Sequence, residues 1–158
     1  MGEKPHEYAE SQFQGFRPRE KPDTLEFPHP ARQEPVILIV DDNAQSAMTL
    51  WRIVRQRGHQ VEYVHSGEAA IDFCRKCCAP SLLILDQSMP GLTGAQTLAL
   101  LRELPGCAAT PAIFYSASAL VPELRNEIDR LGARVWLTKS REGHAELMEQ
   151  IQSITGAS

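Results

Sequence analysis

The chain of 158 residues has no long hydrophobic run. Its cleanest aliphatic stretches are Val36–Val40 and Leu82–Leu85. A membrane helix needs about 20 apolar residues, so no segment is expected to span a bilayer. The opening Met1-Gly2-Glu3-Lys4-Pro5 has no apolar core and does not read as a secretory signal. His6 stands where an N-myristoylation signal needs Ser or Thr. The expected location is therefore the cytoplasm, with no membrane partner. A basic excess is also missing. Sixteen Lys and Arg against 20 Asp and Glu give a net charge of −4, and the pI is near 5.7. Duplex-binding domains usually carry a basic face, so direct nucleic-acid binding is not expected. A disulfide framework is missing as well. Of four cysteines, Cys74, Cys77 and Cys78 fall within five residues and Cys107 stands apart. That spacing suits reduced thiols in a chain large enough to build its own core.

What remains is an ordinary globular composition. Apolar residues make up 42% and charged residues 23%, which excludes a mainly disordered chain, a collagen or a coiled coil. The length predicts one domain. Residues 1–34 differ from the rest. Pro5, Pro18, Pro22, Pro28 and Pro30 crowd this stretch, with Pro35 at its edge, and no apolar periodicity appears. It reads as a Pro-rich, disordered or polyproline-like tail. Its aromatics Tyr8, Phe13, Phe16 and Phe27 are possible docking points.

From residue 35 to 158 the pattern alternates. Strands are predicted at 36–40, 61–64, 81–85, 111–115 and 134–137. Helices are predicted at 44–57, 66–78, 95–104, 122–131 and 144–154. Ser66 is placed to cap the second helix, and Gly132 to end the fourth. Strands that read as continuous apolar runs imply a parallel sheet covered on both faces. A closed eight-fold barrel needs far more chain. The fold class is therefore α/β, an open, doubly wound parallel sheet of five strands. In such sheets ligands bind beyond the carboxyl ends of the strands, where strand order reverses.

The residues predicted at those ends carry the chemistry. Strand one ends in Asp41-Asp42, strand three in Asp86, strand four in Ser116 and strand five in Lys139. Three carboxylates in one crevice repel and need compensation. A hard divalent cation such as Mg²⁺ suits oxygen ligands of this kind. Lys139 adds a compact positive charge, and Ser116 a hydroxyl that can donate to an anionic oxygen. Such a set can hold a phosphoryl group. A carboxylate can attack phosphorus and form an acyl phosphate, and Asp86, alone at its strand tip, is the best nucleophile.

These residues and their order resemble the receiver domain of bacterial two-component response regulators. The likeness runs through Asp41-Asp42, through Asp86-Gln87-Ser88-Met89-Pro90-Gly91-Leu92-Thr93-Gly94, through Ser116-Ala117, and through Gly132 to Lys139. It covers residues 36 to about 155. The resemblance implies a flavodoxin-like (βα)5 fold and a phosphoacceptor switch rather than a turnover enzyme. Asp86 would accept a phosphoryl group from a phosphohistidine on a sensor histidine kinase or a histidine phosphotransfer protein. Asp42 and Asp86 would contact Mg²⁺ directly, Asp41 directly or through water, and the Ser88 backbone carbonyl would be a further ligand. Ser116 and Lys139 would bind the phosphoryl oxygens. Ser116 and Trp136 would act as the switch pair, and the helix from Pro122, the Trp136 strand and the helix His144–Ile154 would meet a downstream protein. With no output domain after the last helix, a stand-alone receiver or onward relay is expected. Two departures stand out. Ser140 follows Lys139 where the family usually has Pro, often cis; a cis non-Pro bond costs about 2.5–4 kcal/mol, so a trans bond is expected. Trp136 replaces the usual Tyr or Phe with a larger ring.

Dehalogenase-type phosphatases also use an Asp nucleophile and Mg²⁺, but typically carry a second acid two residues on, where Ser88 stands. A phosphorylation-independent interaction module would be expected to lose Asp86 or the acidic pair, and all are present. Cys74-x-x-Cys77-Cys78 lacks the paired cluster of a zinc site. It reads as a helix with partly buried thiols, Phe73 and Cys77 facing the core. His6, His29, His59, His65 and His144 show no ligand spacing, and Trp51 reads as a core or helix-flank residue.

Overall fold

The computed structural model describes residues 35–133 and 135–156. The predicted tail at 1–34 lies outside them, as does Arg134. The chain alternates β1 (Val36–Val40), α1 (Ala44–Gln56), β2 (Gln60–Val64), α2 (Gly67–Lys76), β3 (Leu82–Leu85), α3 (Gly94–Leu101), β4 (Ala112–Ser116), α4 (Pro122–Arg130), β5 (Val135–Thr138) and α5 (Arg141–Thr155). All neighbouring strands pair in parallel, in the order β2-β1-β3-β4-β5. The expected doubly wound α/β sheet of five strands is what the chain builds.

β1, β3 and most of β4 are apolar on both sides because both faces are covered, whereas the edge strand β2 carries Gln60 and Glu62. Leu38, Val40, Leu83, Leu85 and Phe114 pack with Phe73, Leu98, Leu101 and Ile128 under α2, α3 and α4. Ile37, Ile39, Ile84 and Ile113 pack with Ala47, Val54, Leu147 and Ile151 under α1 and α5. Fully burying one such side chain is worth about 1.5–3 kcal/mol, so these two layers dominate the stability.

Local signals set the helix starts. Asn43 caps α1 through Ser46 N–H, and Ser66 caps α2 through Ala69 N–H. Thr93 and Gln96 close a reciprocal capping box on α3. Several boundaries differ from expectation. α3 stops at Leu101, and a single 3₁₀ turn, Pro105–Cys107, follows. α5 begins at Arg141 rather than 144, because the Ser140 side chain accepts from Gly143 N–H at 3.0 Å and so caps the helix. α2 ends at Lys76, so Cys77 is its C-cap and is exposed. The expected inward-facing Cys77 is thus corrected: beyond the last helical turn the 3.6-residue spacing no longer points a side chain at the core. Phe73 is core, at 1% exposure. No cis peptide bond occurs among the described residues. No described helix is long and apolar enough to cross a membrane.

Candidate functional site: an acidic crevice at the strand ends

Strand order reverses between β1 and β3, which both pair with each other and send their crossover helices to opposite faces. Asp41 and Asp42 follow β1, and Asp86 follows β3. Backbone bonds fix them there: Asp86 N–H donates to Val40 O at 2.9 Å, and Asp41 N–H to Val64 O at 3.1 Å. The carboxylates of Asp41, Asp42 and Asp86 offer oxygens within 4.8 Å of one another. Asp41 and Asp86 are buried, and Asp42 is exposed.

Two further strand ends complete the crevice. Ser116 is fully buried at the tip of β4, its Oγ accepts from Ser118 N–H at 3.2 Å, and its hydroxyl favours the ionised Asp86 carboxylate. Lys139 follows β5, and its N–H donates to Ser116 O at 2.9 Å. Its Nζ lies 2.8 Å from Asp41 Oδ2 and 3.4 Å from Asp86 Oδ2. Ser140 in place of Pro thus leaves the lysine within reach of both acids. Burial raises the Asp86 pKa, helped by the Asp41 charge and opposed by Ser116 and Lys139; the net direction is up. For Lys139, burial lowers the pKa, but the hydrogen bonds and charges of Asp41 and Asp86 outweigh it, and the net direction is again up.

Asp41 is already well served. Its Oδ1 accepts from Asn43 N–H at 3.0 Å and its Oδ2 from Lys139. One ammonium faces three carboxylates, so the ionised crevice keeps an excess of negative charge. A divalent cation with oxygen ligands fits that donor set.

The loops around the crevice are tightly fitted. The Gln87 side chain accepts from Ala95 N–H at 2.9 Å, and its backbone oxygen from Gly94 N–H at 3.0 Å. A Cβ on Gly94 would strike the backbone oxygen of Asp86, so glycine is needed there for close approach. Ser88 Oγ and Ser118 Oγ meet at 2.7 Å, joining the loops after β3 and β4. Trp136 is half-buried, stacked on Phe114 with centroids 5.4 Å apart and planes 11° apart. The larger indole is accommodated as a lid on that ring. Sequence reasoning placed Asp41, Asp42, Asp86, Ser116 and Lys139 together, and they are together. It missed His65, whose Nδ1 lies 3.1 Å from Asp41 O; only its position at the end of β2 could have flagged it. Gln87 was part of the quoted motif, but its role as a clasp on α3 was not foreseen.

Residues 37–152 match the family model of the response regulator receiver domain. The chain therefore belongs to the receiver domain family of two-component response regulators. It is 32% identical over 117 residues to the uncharacterized transcriptional regulatory protein YkoG of Bacillus subtilis (strain 168), covering 74% of this chain and 49% of that one. The chain thus spans about half the length of the first relatives it matches. Among solved structures, Vibrio cholerae chemotaxis protein CheY4 superposes with a TM-score of 0.69 at 24% identity, covering 77% of this chain and 99% of that one. Response regulator TrrA of Thermotoga maritima, in complex with Mg(2+)-BeF, gives 0.63 at 24% identity, covering 76% and 98%.

Proposed function

We propose that this chain is a Mg²⁺-dependent phosphoacceptor that takes its phosphoryl group on Asp86 from a phosphohistidine donor. The observation that carries this reading is the Asp86 carboxylate, buried at the tip of β3 and bridged by Lys139 to Asp41, with Ser116 buried at the tip of the next strand. Mg²⁺ held by Asp41, Asp42, Asp86 and the Ser88 backbone carbonyl would supply neutralising charge at the phosphoryl oxygens. An Asp86 oxygen attacks phosphorus, the phosphorus–nitrogen bond of the donor breaks, and the imidazole leaves. Lys139 moves from the carboxylates onto a phosphoryl oxygen, and the Ser116 hydroxyl donates to another. The donor is a sensor histidine kinase or a phosphotransfer protein.

Output runs through α4, the Trp136 strand and α5. The Ser116 hydroxyl, drawn towards the phosphoryl group, leaves Ser118 N–H, shifts the loop after β4 and biases Trp136. The chain acts by regulated protein binding or onward relay in the cytoplasm, turning over no substrate beyond its own phosphoryl group. Residues 1–34 form a Pro-rich tail and 35–158 the receiver. Ser88, two residues past Asp86, weighs against an aspartate phosphatase.

Acetyl phosphate with Mg²⁺, followed by intact mass, tests the reading. The wild-type chain gains one phosphoryl group and Asp86→Asn gains none. Equal labelling of both proteins overturns the assignment of Asp86. No labelling by acetyl phosphate or by a phosphorylated histidine kinase returns the reading to a phosphorylation-independent module.

A further inference from the structure

The four cysteines lie at the pole of the sheet away from the acidic crevice. Cys74, Cys77 and Cys78 precede the start of β3, and Cys107 precedes the start of β4. They fall into two chemical classes. Cys107 is buried and Cys74 half-buried against it, and burial pushes both thiols up. Buried thiols of this kind are unreactive. Cys77 and Cys78 are different. Cys77 caps α2 in the open, Cys78 follows half-buried, and their sulfurs are 3.3 Å apart. Among the described residues, the cluster with metal-ligand spacing is the acidic trio and not these thiols.

We propose that Cys77 and Cys78 are a peroxide-sensitive dithiol whose oxidation closes a disulfide between sequence neighbours at the end of α2. The shared contact favours loss of the pair's first proton. Either sulfur can donate across this contact, so one thiol of the pair is brought down as its neighbour is pushed up. Whichever sulfur loses the first proton is the attacking thiolate, and its neighbour is the resolving thiol.

The first thiolate of the pair attacks one oxygen of hydrogen peroxide, and the oxygen–oxygen bond breaks. Its sulfur becomes a sulfenic acid, and the departing hydroxide takes the proton of the neighbouring thiol to form water. The neighbouring thiolate then attacks the sulfenic sulfur. The sulfur–sulfur bond forms, the sulfur–oxygen bond breaks, and the second hydroxide leaves as water with the proton that the first thiol released. Both sulfurs are oxidised, and both peroxide oxygens are reduced. Adjacent Cα atoms stand about 3.8 Å apart across a trans peptide, short of the usual disulfide span of about 4.4–6.8 Å. The bond is consequently strained and readily reduced, which suits a reversible switch.

The test uses the full chain, reduced and then exposed to hydrogen peroxide at neutral pH. Trypsin separates Cys74, the Cys77–Cys78 pair and Cys107 into three peptides, cut at Arg75, Lys76 and Arg102. The expected product is the 77–102 peptide lighter by two hydrogens, closed to alkylation and restored by dithiothreitol. Cys77→Ser and Cys78→Ser should each leave a single thiol at this segment, trapped as a sulfenic or sulfinic acid with no loss of two hydrogens. A cross-link between the Cys74 and Cys107 peptides, an over-oxidised Cys77 or Cys78 in the wild-type chain, or no change at 77–102 would each overturn the proposal.

Discussion

Lys139 and Asp86 set the chemistry of the crevice by opposing each other's cost. Asp86 is a carboxylate whose folded pKa lies above its ordinary value. Its contribution to stability is therefore present below the unfolded pKa and is lost as pH rises through the folded one. At neutral pH without divalent cations the ionised group strains the fold. Asp86→Asn, which cannot ionise, is expected to melt a few degrees higher than wild type in chelator, and magnesium should raise wild type more than the variant. Calorimetry with and without magnesium checks both. For Lys139 the folded pKa is likewise raised, so its ion pairs stabilise fully below the unfolded value near 10.4. That contribution is lost as pH climbs through the folded value. Urea titrations on the alkaline side should show this loss in wild type and not in Lys139→Met. Ser116→Ala should still gain a phosphoryl group at Asp86 but fail to move Trp136, whose fluorescence reports the switch.

At the scale of elements, Ser140 answers what the loss of the usual proline does. It caps α5, and α5 supplies Leu147, Met148 and Ile151 to the core. Ser140→Ala should cost about 0.5–2 kcal/mol in urea unfolding and leave labelling of Asp86 intact. Arg102 is a second tie. Its guanidinium donates to Leu131 O at 2.8 Å, Cys107 O at 2.9 Å and Thr110 O at 2.7 Å. It joins the ends of α3 and α4 to the 3₁₀ turn. Arg102→Ala leaves three carbonyls without this partner, and each charged hydrogen bond is worth about 1.5–3 kcal/mol, so a loss of several kcal/mol is expected. Neither tie was legible in sequence. A Ser at position 140 looks like any loop residue until the helix after it is seen, and Arg102 looks like a solvated helix end. The strands and most helices were legible, because Val36–Val40 and Leu82–Leu85 are apolar in every position and only a doubly covered strand reads that way. Cys77 was misplaced because periodicity was carried past the last turn of α2.

For the molecule as a whole, strand alternation announced a parallel sheet, and the acids at strand ends announced the crevice. The order β2-β1-β3-β4-β5 could not be read from alternation alone, since it depends on which face each crossover covers. That order makes Asp41 and Asp86 neighbours. The parallel run of the strands has another consequence. β1 enters and α5 leaves at the pole opposite Asp86, so Val36 and Thr155 both stand at the foot of the molecule. Anything joined directly after α5, whether an affinity tag, a fluorescent protein or a solid support, holds the domain by its foot with the crevice facing outward. Immobilising the chain just beyond α5 should therefore leave the acidic site open to a phosphodonor in solution.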